Sequence, residues 1–100
     1  MGKRVEKTGM NESTTVTAVE ECLATTLDGE SVVLHMDAGE YYGFNDVATY
    51  IWDRIQEPRT VGEICELVSS EYDVSYERSR EHTSALLAEL DEKGLVETEN

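Results

Sequence analysis

The chain has 100 residues, with 22 Asp+Glu against 8 Lys+Arg and a formal net charge of −14. That length makes one domain with one modest core, which disfavours a large independent enzyme. Binding to phosphate backbones needs a cationic footprint, so the charge argues against nucleic acid and against an anionic membrane surface. By segment the net charge is +1 over residues 1–15, −8 over 16–57 and −7 over 58–100, so the acidity belongs to the body of the chain. Only Lys3, Lys7 and Lys93 are lysines, and few lysines among many carboxylates suit a cytoplasm at high salt, where self-repulsion is screened.

Residues 1–15 are polar and aperiodic and read as a flexible tail, with the domain proper over 16–100. No apolar signal region and no long apolar run is present, and two cysteines make no disulfide framework, so a cytoplasmic protein is expected. Leu23, Thr25 and Leu27 alternate, as do Val32, Leu34 and Met36, and then Tyr42 and Phe44. Asp28-Gly29-Glu30 and Asp37-Ala38-Gly39-Glu40 interrupt them, which predicts a three-stranded antiparallel meander with these residues on its apolar face. Thr26, His35 and Tyr41 fall on the more polar face.

Helical signals follow. Asn45-Asp46 caps a helix carrying Val47, Ala48, Ile51, Trp52 and Ile55, stopped by Pro58. Thr60-Val61-Gly62-Glu63 is a capping box opening a second helix with Ile64, Cys65 and Val68. Asp73-Val74-Ser75 breaks it, and Ser75 caps a third helix with Leu86, Leu87 and Leu90 that ends at Gly94. Leu95-Val96 either adds a short strand or packs back on the core. Strands followed by helices predict an α+β fold, a three-stranded meander followed by three helices with a winged-helix-like outline.

Chemistry-bearing constellations are sparse. Cys22, His35, Cys65 and His82 lack the closely spaced pair that zinc sites use, so no metal is expected, and Cys65 reads as a small core residue. No nucleophile elbow and no phosphate-binding glycine loop is present, so neither an enzyme nor a cofactor is expected. Arg78 and Arg80 could contact DNA, but Glu77, Glu81, Glu89, Asp91 and Glu92 on the same helix oppose a phosphate backbone. A winged-helix transcriptional regulator, or a module acting through protein contacts, is the alternative reading. Glu40-Tyr41-Tyr42-Gly43-Phe44-Asn45 is short and aromatic and contains a glycine. It is either an edge strand open to another strand or simply part of the core.

The run Leu34-His35-Met36-Asp37-Ala38-Gly39-Glu40-Tyr41-Tyr42-Gly43-Phe44-Asn45, with Ala48, Ile51 and Trp52 after it, resembles the signature of PqqD-like proteins. Arg59-Thr60-Val61 with Ile64, Glu71-Tyr72-Asp73-Val74, and Leu90 through Gly94-Leu95-Val96 extend the resemblance over about residues 17–98. Phe44 stands where that family usually has Leu. The resemblance implies a precursor-peptide recognition element of ribosomally synthesised, modified peptides. Such a domain binds the leader as an extra strand on its third strand, against its third helix, and presents it to a radical-SAM modifying enzyme or a leader peptidase. It implies no catalysis and no cofactor.

Carried over by position, Tyr41, Tyr42, Gly43 and Phe44 line the strand side of the cleft. The third helix has a stripe centred on Tyr76, Thr83 and Leu90, with Ser79 and Leu86 on one flank and Arg80 and Leu87 on the other. Periodicity leaves open which flank meets the core, and Arg80, Thr83 and Leu87 are the expected leader contacts. The heavy negative charge implies that an acidic leader is repelled unless salt screens it.

Overall fold

Asp28 and Gly29 close a two-residue hairpin with φ of 56° and 82°, both positive as a type I′ turn requires. In the computed structural model, which describes residues 10–100, that hairpin is the first turn of the expected meander. Its strands are β2 (Cys22–Leu27), β3 (Glu30–His35) and β4 (Glu40–Phe44), paired antiparallel in the order β2-β3-β4. Helices α1 (Asp46–Arg54), α2 (Val61–Tyr72) and α3 (Tyr76–Glu92) follow.

The caps act as their residue types dictate. Asn45 accepts from Ala48 N–H at 2.9 Å and Ser75 from Arg78 N–H at 3.2 Å. Thr60 and Glu63 make the reciprocal pair of a capping box at 3.1 and 3.0 Å. At the end of α3, Gly94 takes φ 74°, Leu95 N–H donates to Leu90 O at 2.9 Å and Gly94 N–H to Asp91 O at 3.1 Å. That pattern satisfies two terminal carbonyls and turns Leu95 back into the core.

A second three-stranded sheet accompanies the meander. Strand β1 (Thr15–Ala18) lies between β5 (Arg59–Thr60) and β6 (Val96–Glu99), antiparallel to both. Residues 10–15 therefore do not behave as the expected tail. Thr14 is buried and its hydroxyl bonds Asn100, Val61 N–H donates to Thr14 O at 2.9 Å, and Gly62 N–H donates to Glu12 O at 3.0 Å. Residues 1–9, the rest of that segment, lie outside the described residues.

The core joins both sheets to the helices through Val16, Val33, Ile51, Ile55, Ile64, Leu87 and Leu95. Phe44 and Trp52 meet edge to face at 5.5 Å, and the Ser31 and Thr49 hydroxyls bond at 2.7 Å, which fixes α1 under the meander. This reverses part of the expected facing. In β3 it is Ser31 and Val33 that turn inward, while Leu23, Leu27, Val32 and Met36 are exposed. Phe44 is buried and Tyr42 half-buried on the inner side, as their alternation predicts.

A strand-and-helix cleft

The hairpin geometry decides which edge is open. Residues flanking a two-residue turn exchange both backbone hydrogen bonds, so Leu27 and Glu30 form a bonded pair. Bonded pairs recur at every second residue, which includes Thr25–Val32 and Leu23–Leu34, and Met36 N–H donates to Glu21 O at 2.9 Å in phase with them. Val32 and Leu34 thus direct their backbone groups to β2. Their register partners on β4, Gly43 and Tyr41, are left with N–H and C=O pointing out of the sheet. β4 is the edge of the order β2-β3-β4, and these groups are its free template.

Beside that edge lies a cleft of about 380 Å³. Tyr42, Gly43 and Phe44 form its strand side, Val47, Ala48 and Ile51 of α1 its floor, and His82, Leu86, Glu89, Leu90 and Lys93 its helix side. The mixture is apolar at depth and polar at the mouth, as ligand clefts are. Lys93, just past α3, reaches over the mouth, with Nζ 3.4 Å from Glu89 Oε2 and 5.8 Å from the Tyr42 ring centroid. The Tyr42 hydroxyl donates to Glu40 Oε1 at 2.5 Å, and this bond, more than partial burial, pushes the phenol above its ordinary range.

The expected contacts divide. Tyr42, Gly43 and Phe44 line the cleft. Tyr41 offers its backbone to the edge, but its side chain stands on the opposite face of the sheet, alternating with Tyr42. Arg80, Thr83 and Leu87 do not line it. Leu87 is in the core, Thr83 is buried beside Cys65, and Arg80 faces Glu12 with Nε 3.8 Å from Oε2. The physical reason is close α2–α3 packing through small residues. Ser79 Oγ donates to Cys65 O at 2.7 Å, so Ser79, Thr83 and Leu87 meet α2, and the next face around the helix, His82-Leu86-Glu89-Lys93, meets the cleft. Those four follow i, i+4, i+7, i+11 spacing, but one apolar residue among three polar ones does not stand out in a sequence.

The candidate metal ligands stay dispersed. Cys22 and His35 are cross-strand partners, Cys65 is a core residue of α2 and His82 lies in the cleft. Burial pushes both thiols up, Cys65 and Cys22 alike, so neither is an activated nucleophile. Among the described residues no group of three or more His, Cys, Asp or Glu converges as a metal site. Among them, too, no helix is long and apolar enough to cross a membrane.

Fold and cleft together define a small α+β domain that sets an unpaired strand edge beside a cleft with an apolar floor and a mixed helix face. The family model for coenzyme PQQ synthesis protein D (PqqD) matches residues 30–96, and the chain belongs to that family. Among solved structures, TbiB1 in complex with the TbiA(beta) leader peptide is 27% identical with a TM-score of 0.74, over 81% of this chain and 94% of that one. A lasso peptide synthetase B1 complexed with the leader peptide is 26% identical with a TM-score of 0.71, over 82% and 96%. The PqqD portion of Methylobacterium extorquens PqqCD, solved as a stand-alone recognition element, shares the fold at 18% identity and a TM-score of 0.76, over 93% and 99%. No curated protein sequence matches the chain.

Proposed function

We propose that this protein captures the leader of a ribosomally made precursor peptide as a strand added to β4, seated between that edge and α3. It then presents the peptide to a modifying enzyme of radical-SAM type or to a leader peptidase. The observation that carries this reading is the conjunction of free backbone groups at Tyr41 and Gly43 with the apolar cleft beside them. Backbone pairing supplies affinity without regard to sequence, and the pocket formed by Phe44, Ala48, Ile51 and Leu86 supplies selectivity for an apolar side chain. Two solved relatives that carry leader peptides support it. The domain itself is read as non-catalytic, without cofactor, and cytoplasmic.

The test is an amide-shift titration with the leader of a short precursor peptide sought among the genes that adjoin this one. Residues 41–45 and the 82–93 face of α3 are expected to move most. Tight binding with shifts confined elsewhere rejects the cleft. Duplex DNA at low salt is expected to move nothing, since a net charge of −14 opposes a phosphate backbone.

A further inference from the structure

The apolar alternation of β2 and β3 builds the outer face of the meander, away from the helices. Register aligns Leu23, Leu34 and Tyr41 across all three strands, with Thr25, Val32 and Gly43 in the next row. Exposure is 58% for Leu23, 76% for Leu27, 50% for Val32, 49% for Met36 and 71% for Tyr41. The helices pack on the other side, through Phe44 to Trp52 and Ser31 to Thr49. Five large apolar side chains gathered on one strand face and left in water mark an interaction surface, not scattered surface hydrophobics.

The border of this face is of one sign. Glu21, Asp28, Glu30, Asp37 and Glu40 occupy the strand ends and turns around it, and the sequence holds no Lys or Arg from residue 8 to residue 53. An apolar centre inside a charged rim is the anatomy of a protein interface. A second copy of this chain brings the same carboxylates to the same border, and like charges set against one another oppose docking. A partner whose apolar patch is ringed by lysine and arginine matches both parts.

We propose that the outer face of β2-β3-β4 docks the enzyme that acts on the captured peptide, through an apolar patch ringed by Lys and Arg on that enzyme. The identity of the occupant rests on the peptide-capture reading. A strand added to β4 prolongs this sheet, so every second peptide side chain emerges on the outer face next to Tyr41 and Gly43. An enzyme docked there touches the domain and the peptide together, while the cleft on the inner side stays filled.

The test places a photo-reactive benzoylphenylalanine at Leu27 of the full chain, expressed in its own cells, with Glu71 on α2 as a control position. The protein crosslinked at Leu27 is identified, purified and titrated against the unmodified chain and against a Leu27→Asp/Val32→Asp variant. One dominant adduct is expected from Leu27. The purified protein should bind the unmodified chain, more weakly as salt rises, and lose about tenfold or more in affinity for the variant. The leader peptide should bind the variant as it binds the unmodified chain, which also shows that the variant is folded. Single Leu27→Asp, at the most exposed of the five positions, serves if the double variant fails to fold. Absence of a specific adduct, an adduct between two copies of this chain, or equal affinity for the variant overturns the proposal. Failure of the leader titration with the unmodified chain overturns peptide capture instead, so the two readings fail separately.

Discussion

Val32 and Gly43 stand opposite each other in the β3–β4 register, yet Val32 directs its backbone groups to Thr25, so Gly43 keeps a free N–H and C=O on the open edge. Apart from Gly43 and its two neighbours in the chain, no heavy atom lies within 4 Å of the position a Cβ would take at Gly43. The strand is therefore available to a partner backbone along its edge and above it.

Gly43→Pro removes that donor and adds a ring at an edge where proline is otherwise tolerated. Affinity for the leader peptide, read by calorimetry, is expected to fall about tenfold or more, corresponding to ~1.4 kcal/mol or above for a lost hydrogen bond with added crowding. The circular dichroism spectrum should stay unchanged. Gly43→Ala meets open space and should bind as the unsubstituted protein does. Full affinity in the proline variant means that no pairing occurs at this residue.

The two flanks of α3 should respond in opposite ways. Leu86→Asp puts a charge in the apolar part of the cleft and is expected to abolish measurable peptide binding, since burying an unpaired carboxylate costs several kcal/mol. Arg80→Ala disrupts only the exposed contact with Glu12 and should leave affinity within about twofold. Reversed sensitivities would move the peptide to the other side of the helix.

Among the described residues, Thr83 Oγ1 is the one buried side-chain polar atom without a hydrogen-bond partner. Thr83→Val keeps the branched shape and removes the uncompensated hydroxyl. Thermal unfolding should show a gain of about 1 kcal/mol, or roughly 4–8 °C, because an unsatisfied buried polar group costs ~1–3 kcal/mol. Peptide affinity should not change. A destabilised variant means that the hydroxyl has a partner, such as the Cys65 thiol beside it or a buried water.

Tyr76 donates its phenolic hydrogen to Glu12 Oε2 at 2.8 Å and thereby holds residues 10–15 against α3. That bond is the chief cause pushing the phenol from 10.0 up to about 12. For a group whose folded value is raised, the stabilisation is whole below the unfolded value and fades as pH rises toward the folded one. The clasp should hold through neutral pH and be lost between pH 10 and about 12. Ultraviolet titration of the tyrosines is the check, and Glu12→Gln should bring the latest transition down.

Local chemistry was readable because it needs only neighbours in sequence. Thr60 with Glu63, Asn45, Ser75 and Gly94 each act as their residue types predict, and the Asp28-Gly29 turn sets the meander. The β5-β1-β6 sheet was less readable because its strands span two, four and four residues and pair Thr15 with both Thr60 and Glu99. Strands that short carry too few alternations to stand out. The facing of β2 and β3 was inverted because alternation reports two faces of a strand and not which of them is dry. Leu23 and Val32 look like core to any reader who assumes that apolar residues are covered by their own chain. On α3 the small residues Ser79 and Thr83 resemble surface positions, although they are what lets α2 and α3 approach.

Among the described residues, strand β1 has its longer pairing with β6, where Thr15 pairs with Glu99 and Ala18 with Val96. During translation the meander and each helix can form as they leave the ribosome, since their contacts are local. The middle strand of the second sheet must wait, with Val16 uncovered on that side, until residues 96–99 are made. Closure of this sheet therefore depends on a segment about eighty residues further along the chain, and a chain cut before Val96 lacks the strand that covers that side of β1.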